Sequence, residues 1–202
     1  MDFRKQRICV ATLTVSLPIL VALSISVWYR AQPIMSLDEW FLQLAHAMES
    51  SFLTAFFSMI TYLGSGYVIF PFIFLILYVK RHIWWNYALK LLFSTLASTI
   101  LVNLLKQMFD KNRPPLALQD ISSYGYPSGH TSLAFAFYFG FFLILFKKEH
   151  ISGPIALSLA TSLSLLVAFS RLYLRVHYLS DVIGGALIGI SFFILFFCKD
   201  LH

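Results

Sequence analysis

Hydrophobic residues in this chain come in long unbroken runs separated by short polar breaks. Six such runs lie at about 8–29, 52–79, 84–105, 129–146, 153–170 and 178–198. Each is close to the roughly 20 residues that carry a helix across a bilayer. None shows the two-residue alternation of a barrel strand, and in lipid a lone run satisfies its backbone only as a helix. The pattern predicts an all-α polytopic membrane protein: one domain over residues 1–202 with six transmembrane helices. Pro18 and Pro71 are expected to kink the first two spans, and Gly64 and Gly66 to loosen the second.

Between the first two runs the pattern changes. Over 36–50, Leu37, Trp40, Phe41, Leu44 and Met48 recur at helical spacing, opposite Glu39, Gln43 and His46. Ser36 with Glu39 three residues on reads as a capping box, with Asp38 in the first turn. This predicts a short amphipathic helix lying in the interface or capping the mouth of the bundle.

Composition agrees with the pattern. The chain is 59% hydrophobic and only 12% charged, against about 25% charged in soluble domains. The net charge of +6 does not point to nucleic acid, because the basic residues sit in small clusters between apolar runs. Arg4, Lys5 and Arg7 precede the first run in the manner of a signal peptide. That run is too long for an h-region and lacks a small-x-small cleavage site, so it reads as a retained helix. Cys9 and Cys198, near the ends of the first and last runs, have no metal-ligand spacing and read as free thiols. With the N-terminus inside, nine Lys and Arg fall in cytoplasmic segments and six in outer ones. Setting aside Lys106, Arg113 and Arg171, which have a chemical reason to be present, leaves nine against three.

Three polar stretches bordering the runs carry candidate chemistry, and in this orientation all lie on the outer side. Lys106 to Pro114 (KQMFDKNRP) supplies Lys106 and Arg113, a point charge and a planar fork that both suit phosphate oxygens. Pro127 to His130 (PSGH) opens the fourth run. There Ser128 offers a hydroxyl, and Gly129 lets a phosphate approach the amides of a helix N-terminus. Ser170 to Asp181 (SRLYLRVHYLSD) supplies Arg171, His177 and Asp181. His177 and Asp181 are four apart and share a helical face, so the carboxylate can fix the imidazole tautomer. His130 and His177 are thus candidates for proton transfer or attack. Ionisable residues beside membrane spans are costly and mark function. His46, His82, His150 and His202 lack such company and read as surface residues. Gly185 and Gly189 form a GxxxG that marks close helix packing.

Together the stretches resemble the three signature motifs of the type-2 phosphatidic acid phosphatase superfamily: Lys-x6-Arg-Pro, Pro-Ser-Gly-His and Ser-Arg-x5-His-x3-Asp. Every motif position matches in order: Lys106, Arg113 and Pro114; Pro127 to His130; and Ser170, Arg171, His177 and Asp181. The resemblance implies an integral membrane lipid phosphate phosphatase. In it His177 would attack phosphorus to form a phosphohistidine, Asp181 would orient it, and His130 would protonate the leaving group. Lys106, Arg113, Ser128, Gly129 and Arg171 would bind the phosphoryl oxygens. No cofactor or metal is implied; the expected partners are the bilayer and a lipid phosphate. The compact size is similar to the bacterial branch acting on phosphatidylglycerophosphate, phosphatidic acid or undecaprenyl diphosphate. A vanadate-dependent haloperoxidase-like activity and a non-catalytic lipid-phosphate carrier are the alternative readings.

Overall fold

The computed structural model describes residues 3–149 and 151–201, with side chains from residue 11 onward. Its helices are α1 (Phe3–Trp28), α2 (Gln32–Ala47), α3 (Ser51–Ile60), α4 (Gly66–Val79), α5 (Trp85–Phe109), α6 (Gly129–Lys148), α7 (Gly153–Tyr173) and α8 (Leu179–Phe197). No strand occurs among the described residues. Five of these helices are each long and apolar enough to cross a membrane, and α3 with α4 pass the same test only together, as a pair bent by 45° in the place of the predicted second span.

That second span is broken rather than kinked at its proline. A 3-10 turn over Thr61–Gly64 separates α3 from α4, which meet at 45°. The break therefore falls between Thr61 and Gly66, ahead of Pro71. Gly64 has a packing role there. A Cβ at this position would lie 2.4 Å from Val167 and 2.9 Å from the His130 carbonyl oxygen. The turn is seated directly against α7 and the start of α6.

α6 is the central helix, packed between α5, α7 and α8, while α1 leans on α8. Thr131 to Tyr138 are all buried. Small residues allow the close approach: a Cβ on Gly185 would sit 2.4 Å from the Ser128 carbonyl oxygen, and one on Gly189 would sit 2.4 Å from that of Ser132. The GxxxG thus brings α8 onto α6, as its spacing predicts. Hydroxyl pairs join the spans, Ser98 with Ser132 at 2.7 Å and Ser16 with Ser191 at 3.0 Å. The outward faces carry exposed apolar side chains such as Ile19, Phe74, Leu157 and Leu195, as lipid-facing surfaces do.

α2 differs from the sequence reading in two respects. It starts at Gln32 with a proline in its first turn. Proline lacks the N–H that a helix start leaves unpaired and presets φ, so the helix begins four residues before Ser36. Ser36 is therefore inside the helix, and the expected capping box does not form. The buried line of α2 is led by Asp38 and Ala45, whereas Leu37, Trp40, Leu44 and Met48 point outward. The helix packs on α7 and α8 and leaves its apolar residues exposed. The expectation of free thiols is also corrected: Cys198 is disulfide-bonded. The chain's other cysteine, Cys9, lies outside the described side chains, as do His150 and His202.

Candidate active site

The site lies where the end of α5, the start of α6, the end of α7 and the start of α8 converge. Three local devices aim its side chains. α5 ends at Asp110 in a left-handed conformation (φ 46°), which turns the chain sharply after Lys106 into the loop bearing Lys111 and Arg113. α6 begins immediately after Ser128, so the first-turn amides of Gly129 and His130 are left without partners inside the helix. α8 begins after Tyr178, and Asp181 at its third position accepts from the Tyr178 backbone amide at 3.0 Å. This N-terminal role fixes the carboxylate before it serves any chemistry.

His177 is buried at 3% exposure. Its Nδ1 lies 3.3 Å from Asp181 Oδ2, and its Nε2 lies 3.3 Å from Arg113 Nη1. A guanidinium only donates, so Nε2 must be the acceptor. The proton is then on Nδ1, where it is donated to Asp181. Burial pushes the His177 pKa down to about 3; the hydrogen bond and charge of Asp181 pull upward, while Arg171 and Arg113 act with burial. The ring is held neutral with a free-electron pair at Nε2.

Arg113 is the cation at that nitrogen, and Arg171 lies within electrostatic reach of the ring. Arg113 is itself braced: Nε donates to the Ser123 carbonyl at 2.6 Å, and Nη2 donates to Ser123 Oγ at 3.0 Å and the Tyr124 carbonyl at 3.2 Å. Lys106 Nζ donates to the Tyr124 carbonyl. Arg171 is almost fully buried and donates from Nη1 to Thr61 Oγ1 in the broken second span. Its Nε is buried without a protein acceptor, a donor suited to an anionic oxygen. His130 lies within electrostatic reach of Arg171, His177, Arg113 and Lys106. Ser128 is fully buried, with its hydroxyl 3.0 Å from Thr131 Oγ1. Its backbone N–H is taken by the Asp181 carbonyl at 2.9 Å, which ties the second motif to the third. Among the described residues no three His, Cys, Asp or Glu side chains gather as a metal site.

Two features went unread in the sequence. Lys111 Nζ sits 2.8 Å from Asp181 Oδ1, 2.8 Å from Ser180 Oγ and 3.2 Å from Asp38 Oδ2. A signal existed: Asp38 shares a helical face with Ile34, Phe41 and Ala45, and an acid on such a face needs a buried partner. His46 is the second. It is not an isolated surface residue, because its Nδ1 accepts from Arg175, whose guanidinium also meets Glu49 at 2.8 Å. Arg175 further donates to the Leu116 carbonyl at 2.9 Å, so this group ties α2 to the loop before α8. His82 accepts from its neighbour Arg81 at 3.2 Å.

A buried His–Asp pair ringed by cations, inside a bundle of membrane-spanning helices, defines a membrane-embedded phosphate-handling protein. Residues 87–200 match the PAP2 superfamily. Over 171 residues the chain is 30% identical to phosphatidylglycerophosphatase B of Bacillus subtilis, covering 80% of this chain and 82% of that one. The solved structure of a transmembrane PAP2-type phosphatidylglycerolphosphate phosphatase from Bacillus subtilis has the same fold, with TM-score 0.84 and 24% identity over 95% of this chain and 98% of that one. Aquifex aeolicus LpxE is similar at TM-score 0.62 and 28% identity, over 77% of this chain and 91% of that one. The chain belongs to the PAP2 superfamily and is a multi-pass membrane lipid phosphatase.

Proposed function

We infer that this enzyme removes a phosphoryl group from a lipid phosphate or diphosphate through a phosphohistidine on His177, with the pocket on the extracytoplasmic face and both termini in the cytoplasm. The observation that carries this reading is the pair of contacts that sets the tautomer: Nδ1 on Asp181 and Nε2 on Arg113, with Arg171 within electrostatic reach. In the first step Nε2 attacks phosphorus and the bond to the leaving oxygen breaks. His130 gives that oxygen its proton. In the second step His130 takes a proton from water, the water oxygen attacks phosphorus, and the P–N bond breaks to release inorganic phosphate. Lys106, Arg113, Arg171, the Ser128 turn and the Gly129 amide hold the phosphoryl oxygens. Three cations with a helix N-terminus supply the charge that a phosphoryl transition state needs, so the reaction proceeds without a metal.

A relative of 30% identity named phosphatidylglycerophosphatase B supports phosphatidylglycerophosphate as a substrate, with phosphatidic acid and undecaprenyl diphosphate as the other candidates. The whole 202-residue chain acts as one transmembrane domain. The experiment is phosphate release by purified protein in detergent with EDTA, across those lipids, with the enzyme quenched during turnover. Acid-labile, base-stable phosphate on the wild type, lost in His177→Ala, supports the mechanism. Near-wild-type turnover by a folded His177→Ala enzyme overturns it.

A further inference from the structure

Asp181 has two oxygens and two masters. Oδ2 takes the His177 Nδ1 and the Tyr178 amide. Oδ1 takes Lys111 Nζ at 2.8 Å, and Asp181 is completely buried. A buried carboxylate with one free oxygen could rotate about its terminal bond; an ammonium on Oδ1 removes that freedom and leaves Oδ2 on the imidazole. Lys111 is anchored in turn. Its Nζ meets Asp38 Oδ2 at 3.2 Å and Ser180 Oγ at 2.8 Å, and lies 4.6 Å from the centre of the Tyr178 ring. Asp38, at 6% exposure, also accepts from the Ser180 amide at 2.8 Å and its hydroxyl at 2.7 Å. One acid of the interfacial helix α2 therefore caps the start of α8 and holds the lysine that holds Asp181.

Lys111 directs its ammonium to Asp181, Asp38 and Ser180. It lines a cavity of about 400 Å³ between α1, α2 and the end of α5, together with Asp38 and Tyr178. Lys106, Arg113 and Arg171 do not line that space. The lysine stands behind Asp181, while the motif cations stand in front of His177.

We propose that Lys111 is a positioning residue of the phosphatase reaction, fixing the Asp181 carboxylate on His177, and that Asp38 acts through it, making α2 part of the catalytic framework. This rests on the His177 reading above and extends it to residues outside the three motifs. Removing the ammonium lets Asp181 turn and leaves its charge less compensated, so the chemical step slows while the phosphate-facing cations keep their places.

The test measures kcat and KM on a short-chain lipid phosphate, with thermal unfolding in the same detergent, for Lys111→Met, Lys111→Arg, Asp38→Asn and the double variant Asp38→Asn/Lys111→Met. A loss in kcat of about tenfold or more with KM held within about threefold is expected for Lys111→Met, since an orienting group acts in the chemical step. Lys111→Arg recovers most of that loss. Asp38→Asn loses about threefold to tenfold, and the double variant is no slower than Lys111→Met within about twofold, as expected of residues acting as one unit. Wild-type kcat in Lys111→Met overturns the proposal. So do losses that follow the unfolding midpoint in every variant without rescue by arginine. A wild-type enzyme that forms no acid-labile phosphoenzyme defeats the underlying mechanism instead, so the two failures are separate.

Discussion

Gly185→Ala tests whether helix spacing sets the site. The added Cβ would lie 2.4 Å from the Ser128 carbonyl oxygen and 3.2 Å from Thr131 Cβ. Ordinary contact begins at 3.4 Å, so α6 and α8 must part by about 1 Å at this level. The clashing atom is backbone and cannot swing aside. It belongs to the turn whose N–H is held by Asp181 and whose next residue is Gly129. The displacement therefore reaches the first-turn amides of α6, the proposed donors to phosphate, and His130 together. Overpacking of this kind costs about 1–3 kcal/mol of stability, and a misplacement of about 1 Å costs on the order of a hundredfold in rate. The assay is kcat on a short-chain lipid phosphate beside thermal unfolding in the same detergent. Two controls frame it. Gly189→Ala meets the Ser132 carbonyl oxygen at 2.4 Å one turn deeper in the bundle; it should lose comparable stability with a smaller loss in kcat. Gly153→Ala, 3.5 Å from the Phe146 ring, should change neither. Wild-type kcat in a destabilised Gly185→Ala enzyme would refute the link between spacing and site. Equal kcat losses in Gly185→Ala and Gly189→Ala would assign the effect to general loosening.

Four further outcomes follow from the geometry. In the proposed mechanism His177 attacks as the neutral ring, and with its pKa pushed down to about 3 by burial it stays neutral at pH values well above that. After correction for substrate ionisation, kcat/KM should show no fall toward acid down through pH 5, and an acid limb near the ordinary imidazole value of about 6.5 contradicts the assignment; a fall toward alkaline pH reports instead His130, which must start protonated as the acid. His130→Ala should slow release of an alkoxide far more than release of an activated aryl oxide, which needs little protonation; equal losses remove His130 as the acid. Trp40→Ser, exposed on α2, with Phe41→Ser, half-buried beside it, should weaken turnover of long-chain substrates much more than of a short-chain soluble phosphate. Each CH₂ kept out of water is worth about 0.8 kcal/mol, so a lipid should enter from the bilayer, and equal losses on both substrates would give these residues a folding role only. For orientation, cysteines placed at Gln119 and Ser122 should react with an impermeant thiol reagent in intact cells while one at Lys148 stays protected; the reverse pattern inverts the topology.

The sequence alone determined the apolar helices and the family to which the three motifs belong. Both are local properties: about 20 apolar residues need only the bilayer to become a helix, and phosphate recognition needs particular side chains at helix ends. The GxxxG was legible for the same reason, since small residues four apart form a stripe wherever the helix lies. Tertiary structure decided what depends on meeting a distant partner. The break at Thr61–Gly64 exists where the second span meets Arg171 and the His130 backbone, and neither neighbour is close in sequence. The start of α2 is ambiguous in sequence because Pro33 lets a helix begin four residues before Ser36, which could also cap one, and distant contacts such as that of Asp38 on Ser180 fix the rotation of that helix. In the sequence Lys111 is one of the six basic residues of the outer segments, with no motif position of its own. Its charge acquired a role only when folding placed it between Asp38 and Asp181, 73 and 70 residues away along the chain.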